Sequence, residues 1–225
     1  MYHSFAAWTR GSAKGEAKMR RSILFAFLIT ETLLYISFLF LDIQTEADTK
    51  WLKFASILMV AFMSFQLNDK IVNAALCLTA AADIFLLVLD QWYVVGLLLF
   101  FIVQLLYSLR MNSKKILSIQ IILLIASAIL VLVQRRTEPL AAGYIISFLL
   151  NLLHAASGAM RTRARQATLF AIGLLLFFCC DLCVGYYNIG RGSLWAFSRI
   201  AMWGFYLPGQ VLILLSVASN EGEFQ

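Results

Sequence analysis

Apolar residues in this chain come in long unbroken runs, and the polar residues between them come in short clusters. Eight runs can be marked, at residues 22–42, 50–66, 71–89, 92–111, 115–133, 139–159, 167–188 and 194–218. Each is near the roughly 20 residues that an α-helix needs to cross a hydrocarbon layer about 30 Å thick. Strands of a membrane barrel would alternate apolar and polar positions. These runs do not alternate, so the pattern predicts helices, whose backbone hydrogen bonds close within each segment. The expectation is an all-α integral membrane protein with eight transmembrane helices in a single domain, residues 21–218, between a basic tail, 1–20, and a short tail, 219–225. The first run follows Arg10, Lys14, Lys18, Arg20 and Arg21 as a signal peptide would, but it is too long and no small-residue cleavage site follows it.

The polar residues inside the runs are periodic. In span six, Tyr144, Ser147, Asn151, His154 and Gly158 recur at intervals of three and four, which places them on one helical face. Span four carries Tyr93, Gly96, Gln104 and Tyr107, and span eight carries Arg199, Tyr206 and Gln210. Shorter faces are Asp181, Gly185 and Asn188 in span seven, Asn73, Ala80 and Asp83 in span three, and Glu31, Tyr35 and Asp42 in span one. Spans two and five show no comparable stripe, so they are expected at the periphery, largely against lipid. One function of such stripes is interhelical hydrogen bonding, and Tyr144, Ser147 and Asn151 taken singly need no other.

Composition agrees with the pattern. A chain of 225 residues that is 62% hydrophobic and 13% charged, with mean hydropathy +0.84, has more apolar surface than a water-soluble core can hide. Charge adds an orientation. Twelve of the eighteen Lys and Arg residues fall in the N-terminal tail and the loops after spans two, four and six, at Lys70, Arg110, Lys114, Lys115, Arg161, Arg163 and Arg165. The opposite side holds Lys50, Lys53, Arg135, Arg136 and Arg191, and Arg199 lies inside the last span. Both termini are therefore expected to be cytoplasmic. The net +6 is a topology signal with attraction to anionic membrane lipid, and it predicts no nucleic-acid partner. The host membrane is expected to be the cell membrane in a bacterium and the endoplasmic reticulum in a eukaryote.

No loop is long enough to form a catalytic domain, so chemistry belongs among the helices. Two histidines, His3 and His154, are too few for a membrane zinc hydrolase, and no metal or cofactor is predicted. There is no G-x-S-x-G nucleophile motif. Cys180 and Cys183 form a C-x-x-C inside an apolar helix, which reads as packing. The carboxylates need a separate reason, because an Asp near the bilayer centre costs about 2.5 to 3.5 kcal/mol on insertion scales. Asp83 and Asp181 each lie midway along a span, both spans run in the same direction, and each Asp follows small residues. Two carboxyls sharing a poorly solvated cavity titrate apart, so that one keeps its proton, as an acid–base pair requires. Pairing with Arg199, or service in a proton or ion path, are alternatives.

Three stretches carry a family resemblance: AAADIFLLVLDQWYVVGLLLFFIVQLLYSLR at 80–110, FAIGLLLFFCCDLCVGYYNIGRG at 170–192 and WGFYLPGQVLILLS at 203–216. In order and spacing they resemble the YhhN-like lysoplasmalogenases. The resemblance implies a membrane hydrolase that cleaves the vinyl ether of 1-alkenyl glycerophosphoethanolamine or glycerophosphocholine, giving a fatty aldehyde and a glycerophospho-alcohol. The family's two Asp motifs fall on Asp83 and Asp181, the implied catalytic pair. Substrate and water would be positioned by Gln104, Tyr107, Tyr144, Asn151, Tyr206 and Gln210. Arg199 would meet the lipid phosphate, snorkel to the interface or pair with an Asp. The partners implied are the lysophospholipid substrate and membrane lipid, and the sequence leaves the oligomeric state open. The chain departs from the family pattern at Ala82, where Gly is usual, and at Gln104, where His is common. A small ion- or proton-coupled transporter using Glu31, Asp83 and Asp181, and a lipid-binding relative without catalysis, are the alternative readings.

Overall fold

Regular helix can persist through each apolar run because almost nothing in the runs interrupts it; only Pro208 lies within a helix interior. In the computed structural model the described residues form eight α-helices and no strand. They are α1 (Tyr2–Gln44), α2 (Lys50–Ser64), α3 (Lys70–Asp83), α4 (Tyr93–Arg110), α5 (Lys114–Gln134), α6 (Glu138–Thr162), α7 (Arg165–Ile189) and α8 (Ser193–Ala218), with a π-helical segment, Ile84–Val88, continuing α3. The structure describes residues 2–45, 48–67, 69–189 and 193–218, with side chains at Met19 and from residue 22 onward except 189, 193 and 196. Arg191 and the tail 219–225, both used in the sequence reading, lie outside the described residues.

Seven helices are long and apolar enough to cross a membrane: Ser22–Gln44 within α1, Lys70–Val88, Tyr93–Arg110, Lys114–Gln134, Glu138–Thr162, Arg165–Asn188 and Phe197–Ala218. The element that falls short is α2. Its 15 residues reach about 22 Å at 1.5 Å per residue, less than a hydrocarbon layer. The exposed surface is that of a multi-pass membrane protein: Phe25, Ile29, Leu33, Ile36 and Phe40 on α1 and Ile121, Ile122, Ile125, Ile129 and Leu132 on α5 point outward. Apolar stripes of that extent are not left open to water.

Helices α3, α4, α6, α7 and α8 enclose the interior, and α5 lies at the rim, only 11% of its apolar window being buried against 44% for α6 and α8. The closest seam joins α7 to α8. A Cβ added to Gly173 would stand 2.9 Å from the Gly209 carbonyl oxygen, and one on Gly209 would stand 3.0 Å from both the Gly173 carbonyl oxygen and the Phe177 nitrogen. Glycine at both positions is what lets the two backbones touch. Pro208 has no N–H to offer the carbonyl of Gly204 one turn back, and Tyr35 of α1 supplies the donor instead, at 3.0 Å.

A second tie sits at one end of the bundle. Asp69 caps α3 by accepting from the backbone N–H groups of Ile71 and Val72, both at 3.1 Å. The same carboxylate takes Arg110 Nε at 3.1 Å, and Arg110 Nη2 donates to Ser216 Oγ at 2.9 Å. One arginine at the end of α4 thereby fixes the level of α3 and α8. In sequence it looks like a loop charge.

Candidate functional site

Asp83 is the last residue of α3 before the backbone widens into the π-helical segment, a local departure that recurs at functional sites. Its side chain is buried, and its Oδ2 accepts the Tyr206 hydroxyl of α8 at 2.6 Å. Asp181 of α7 is half-buried, and its Oδ2 accepts the Tyr144 hydroxyl of α6 at 2.5 Å. Two helix pairs thus each present one carboxyl held by one phenol. The expected alternative of an Asp paired with Arg199 is not what the structure has.

Aromatic rings join the two pairs. Tyr144 packs against Phe148 at 5.9 Å between centroids, Phe148 against Phe177 at 5.0 Å, and Phe177 against Tyr206 at 5.4 Å. Phe100 of α4 touches both Tyr144, at 6.3 Å, and Phe177, at 5.6 Å. Asp83 and Asp181 are thus linked through Tyr206, Phe177, Phe148 and Tyr144. These two predicted residues are therefore brought into one region, as are Tyr144 and Tyr206.

Next to the pairs lies a layer of amides. Asn151 Nδ2 donates to the Gln104 carbonyl oxygen at 2.7 Å and to Gln104 Oε1 at 3.0 Å. Ser108 Oγ lies 2.6 Å from both Asn151 Oδ1 and Gln120 Oε1, and Gln120 Nε2 donates to the Ser147 carbonyl at 3.1 Å. Several buried polar atoms in this interior have no protein partner: Gln104 Nε2, both amide atoms of Gln210, Thr79 Oγ1, Tyr107 Oη and Ser147 Oγ. Thr79 and Gln210 stand one turn below Asp83 and Tyr206 on their own helices, between that hydrogen bond and the Arg110 tie. A buried polar atom without a partner costs about 1 to 3 kcal/mol, and a polar site of this kind suits water or a polar ligand group.

Other expectations fare differently. Tyr107 is fully buried with its ring against Phe170 at 5.4 Å, on the side of Arg110. Arg199 is exposed, and its Nη2 lies 3.5 Å from the backbone carbonyl of Asp42. The stripe in α4 does not extend to Tyr93, which is exposed and bonded to Asp90. Of the polar face expected in α7 only Asp181 turns inward; Gly185 and Asn188 are exposed, and Asn188 bonds to its own helix at Val184. His154 also turns outward, to a cleft of about 310 Å³ shared with Arg110, Gly158, Gln166 and Phe170. Glu31 is buried with both carboxylate oxygens unpartnered, as is Ser56 Oγ of α2.

Spans two and five, which show no polar stripe in sequence, do bury polar side chains. α2 buries Lys53, Ser56 and Ser64, and α5 buries Gln120 and Ser127. The signal was present: Gln120 and Ser127 are two turns apart, and Ser108 follows Gln104 by one turn. In sequence Lys53 looks like a loop charge because it lies one turn into its run. Thr79, one turn before Asp83, gives no signal of its own, because a lone Thr is common in apolar helices.

The arrangement can hold a proton on one carboxyl, stabilise positive charge with the other and order water between amides. Among the described residues no group of three His, Cys, Asp or Glu side chains is placed to bind a metal. A comparison with protein families matches residues 49–217 to the one described as the YhhN family. No curated protein and no solved structure matches the chain.

Proposed function

The chain belongs to the YhhN family, and on that premise we propose that it hydrolyses the vinyl ether of lysoplasmalogens within the membrane. The observation that carries this reading is the pair of phenol-bonded carboxyls, Asp83 with Tyr206 and Asp181 with Tyr144, facing one interior. A vinyl ether needs no strong nucleophile. A proton is delivered to the carbon remote from the ether oxygen, the C=C electron pair forms the new C–H bond, and the oxygen lone pair stabilises the resulting oxocarbenium ion. Water adds to the carbon that bears oxygen and gives up a proton, and the hemiacetal collapses to aldehyde and alcohol. Asp83, the more enclosed carboxyl, is the donor in this account. Asp181 faces the cation and receives the proton of water. Gln104 and Gln210, with amide atoms left free, orient the water; Tyr144, Asn151 and Tyr206 line the interior around the carboxyls.

The same proposal includes eight crossings, with α2 as a short one, both termini cytoplasmic, one domain over residues 21–218, and a lysophospholipid as partner. The transporter reading keeps one observation of its own, the unpartnered carboxylate of Glu31. Purified protein in detergent, where no ion gradient exists, separates the two. Release of fatty aldehyde from a 1-alkenyl lysophosphoethanolamine, with the saturated 1-alkyl ether as blank, is the expected result. Folded protein that releases none across several head groups and pH values would overturn the reading in favour of a carrier or a lipid-binding protein.

A further inference from the structure

The aromatic contacts do not stop at Tyr206. They continue to Trp203, 5.6 Å away between centroids, and from Trp203 to Lys53, whose Nζ stands 4.8 Å above the indole and 5.9 Å from the Phe38 ring. Lys53 is buried, with its Nζ 2.7 Å from Asp42 Oδ2, while Asp42 Oδ1 accepts the Thr49 hydroxyl at 2.5 Å. Arg199 lies one turn before Trp203 on α8 and meets this group at the Asp42 carbonyl. Two cations therefore meet at Asp42, Lys53 on its carboxylate and Arg199 on its backbone carbonyl, at the end of the bundle where α1 and α3 finish and α2 and α8 begin. An ammonium has three donors and a guanidinium five, so most donors at this place have no acceptor in Asp42.

We propose that Lys53 and Arg199 form the seat for the phosphate of the lipid whose reacting group lies at Asp83. The inference rests on the functional reading above, because that reading places the vinyl ether at Asp83. In a 1-alkenyl glycerophospholipid seven bonds separate the carbon that is protonated from phosphorus, roughly 9 Å when extended. The contacts from the Tyr206 ring to Trp203 and from Trp203 to Lys53, of 5.6 and 4.8 Å, put the ammonium no more than about 10 Å from that ring, within reach of such a lipid, with Trp203 as the floor beneath the glycerol. Lys53 supplies a buried point charge with fixed position. Arg199, the exposed partner, supplies the fork that can grip two phosphate oxygens.

The test is binding of the unreactive 1-alkyl lysophosphoethanolamine and of 1-alkyl glycerol, which lacks the phosphate, to purified full-length protein in detergent, with inorganic phosphate as competitor. Arg199→Gln and Lys53→Met are each expected to weaken the phospholipid about tenfold and to leave the alkyl glycerol unchanged, with Lys53→Arg recovering most of the loss. Because Lys53→Met also breaks a buried ion pair, Arg199→Gln carries the test should that variant fail to fold. Equal weakening of both ligands, or none, would reduce the group to a staple between α1 and α2 and overturn the seat. Competition by inorganic phosphate with no preference for the phosphorylated lipid would assign the cations to a free anion and overturn it equally. Binding needs no turnover, so failure of the seat and failure of the hydrolase reading are told apart.

Discussion

The two carboxyl–phenol pairs use the same chemistry in different surroundings. On the α3–α8 side, Asp83 is enclosed, sits where the helix widens into a π-helical segment, and has orphan polar atoms of Thr79 and Gln210 one turn away. On the α6–α7 side, Asp181 is half-buried in uninterrupted helix, with open space beyond Gly185 one turn on. In the mechanism proposed above, this difference gives proton donation to the enclosed acid and the role of base to the less enclosed one, the two being joined by Phe177, Phe148 and Phe100. The glycine seam between α7 and α8 is what brings the halves together, since α7 carries Asp181 and α8 carries Tyr206.

The comparison can be broken at several points. Replacing either acid by an amide keeps shape and removes the titrating group, so Asp83→Asn and Asp181→Asn are each expected to lower aldehyde release by about 10² to 10⁴. Steady-state rates with folded variants check this. At the seam, Gly209→Ala forces a methyl to 3.0 Å from the Gly173 carbonyl oxygen and is expected to cost about 1 to 3 kcal/mol and most of the activity. Gly204→Ala is the control, because a Cβ there meets only the Tyr35 hydroxyl at 3.9 Å and should melt with the parent in a thermal denaturation series. The pairs themselves differ next. Tyr206→Phe strips the enclosed Asp83 of its donor and is expected to slow turnover about tenfold, whereas Tyr144→Phe does the same to the less enclosed Asp181 and should cost two- to threefold. Rates with matched KM values test that order. The smallest effect belongs to Thr79→Val, expected to halve kcat without moving KM if Thr79 only holds water.

What the sequence disclosed followed from contrast. Asp83 and Asp181 stood out because a carboxylate is rare in an apolar run, and Gln104, Asn151 and Gln210 because their intervals matched a helix turn. The helices themselves are legible for the same reason, most ending where charged or small polar residues gather. Residues near run ends were misjudged. Lys53 and Arg110 were counted as loop cations, yet each is built into an ion pair inside the bundle, because a long side chain reaches inward from a position that looks terminal. The π-helical turn after Asp83 had no Gly or Pro to announce it. Gly173 and Gly209 are thirty-six positions apart and become partners only when α7 and α8 pack, a relation that no local pattern encodes.

The central claim is that Asp83 and Asp181 act as one site. Turnover of a 1-alkenyl lysophospholipid by Asp83→Asn, Asp181→Asn and the double variant, all verified as folded, measures it. Residues that serve one reaction as a unit are not additive, so the double variant should be about as slow as the worse single one. Losses that multiply, or a single variant that keeps parental turnover, would contradict the account.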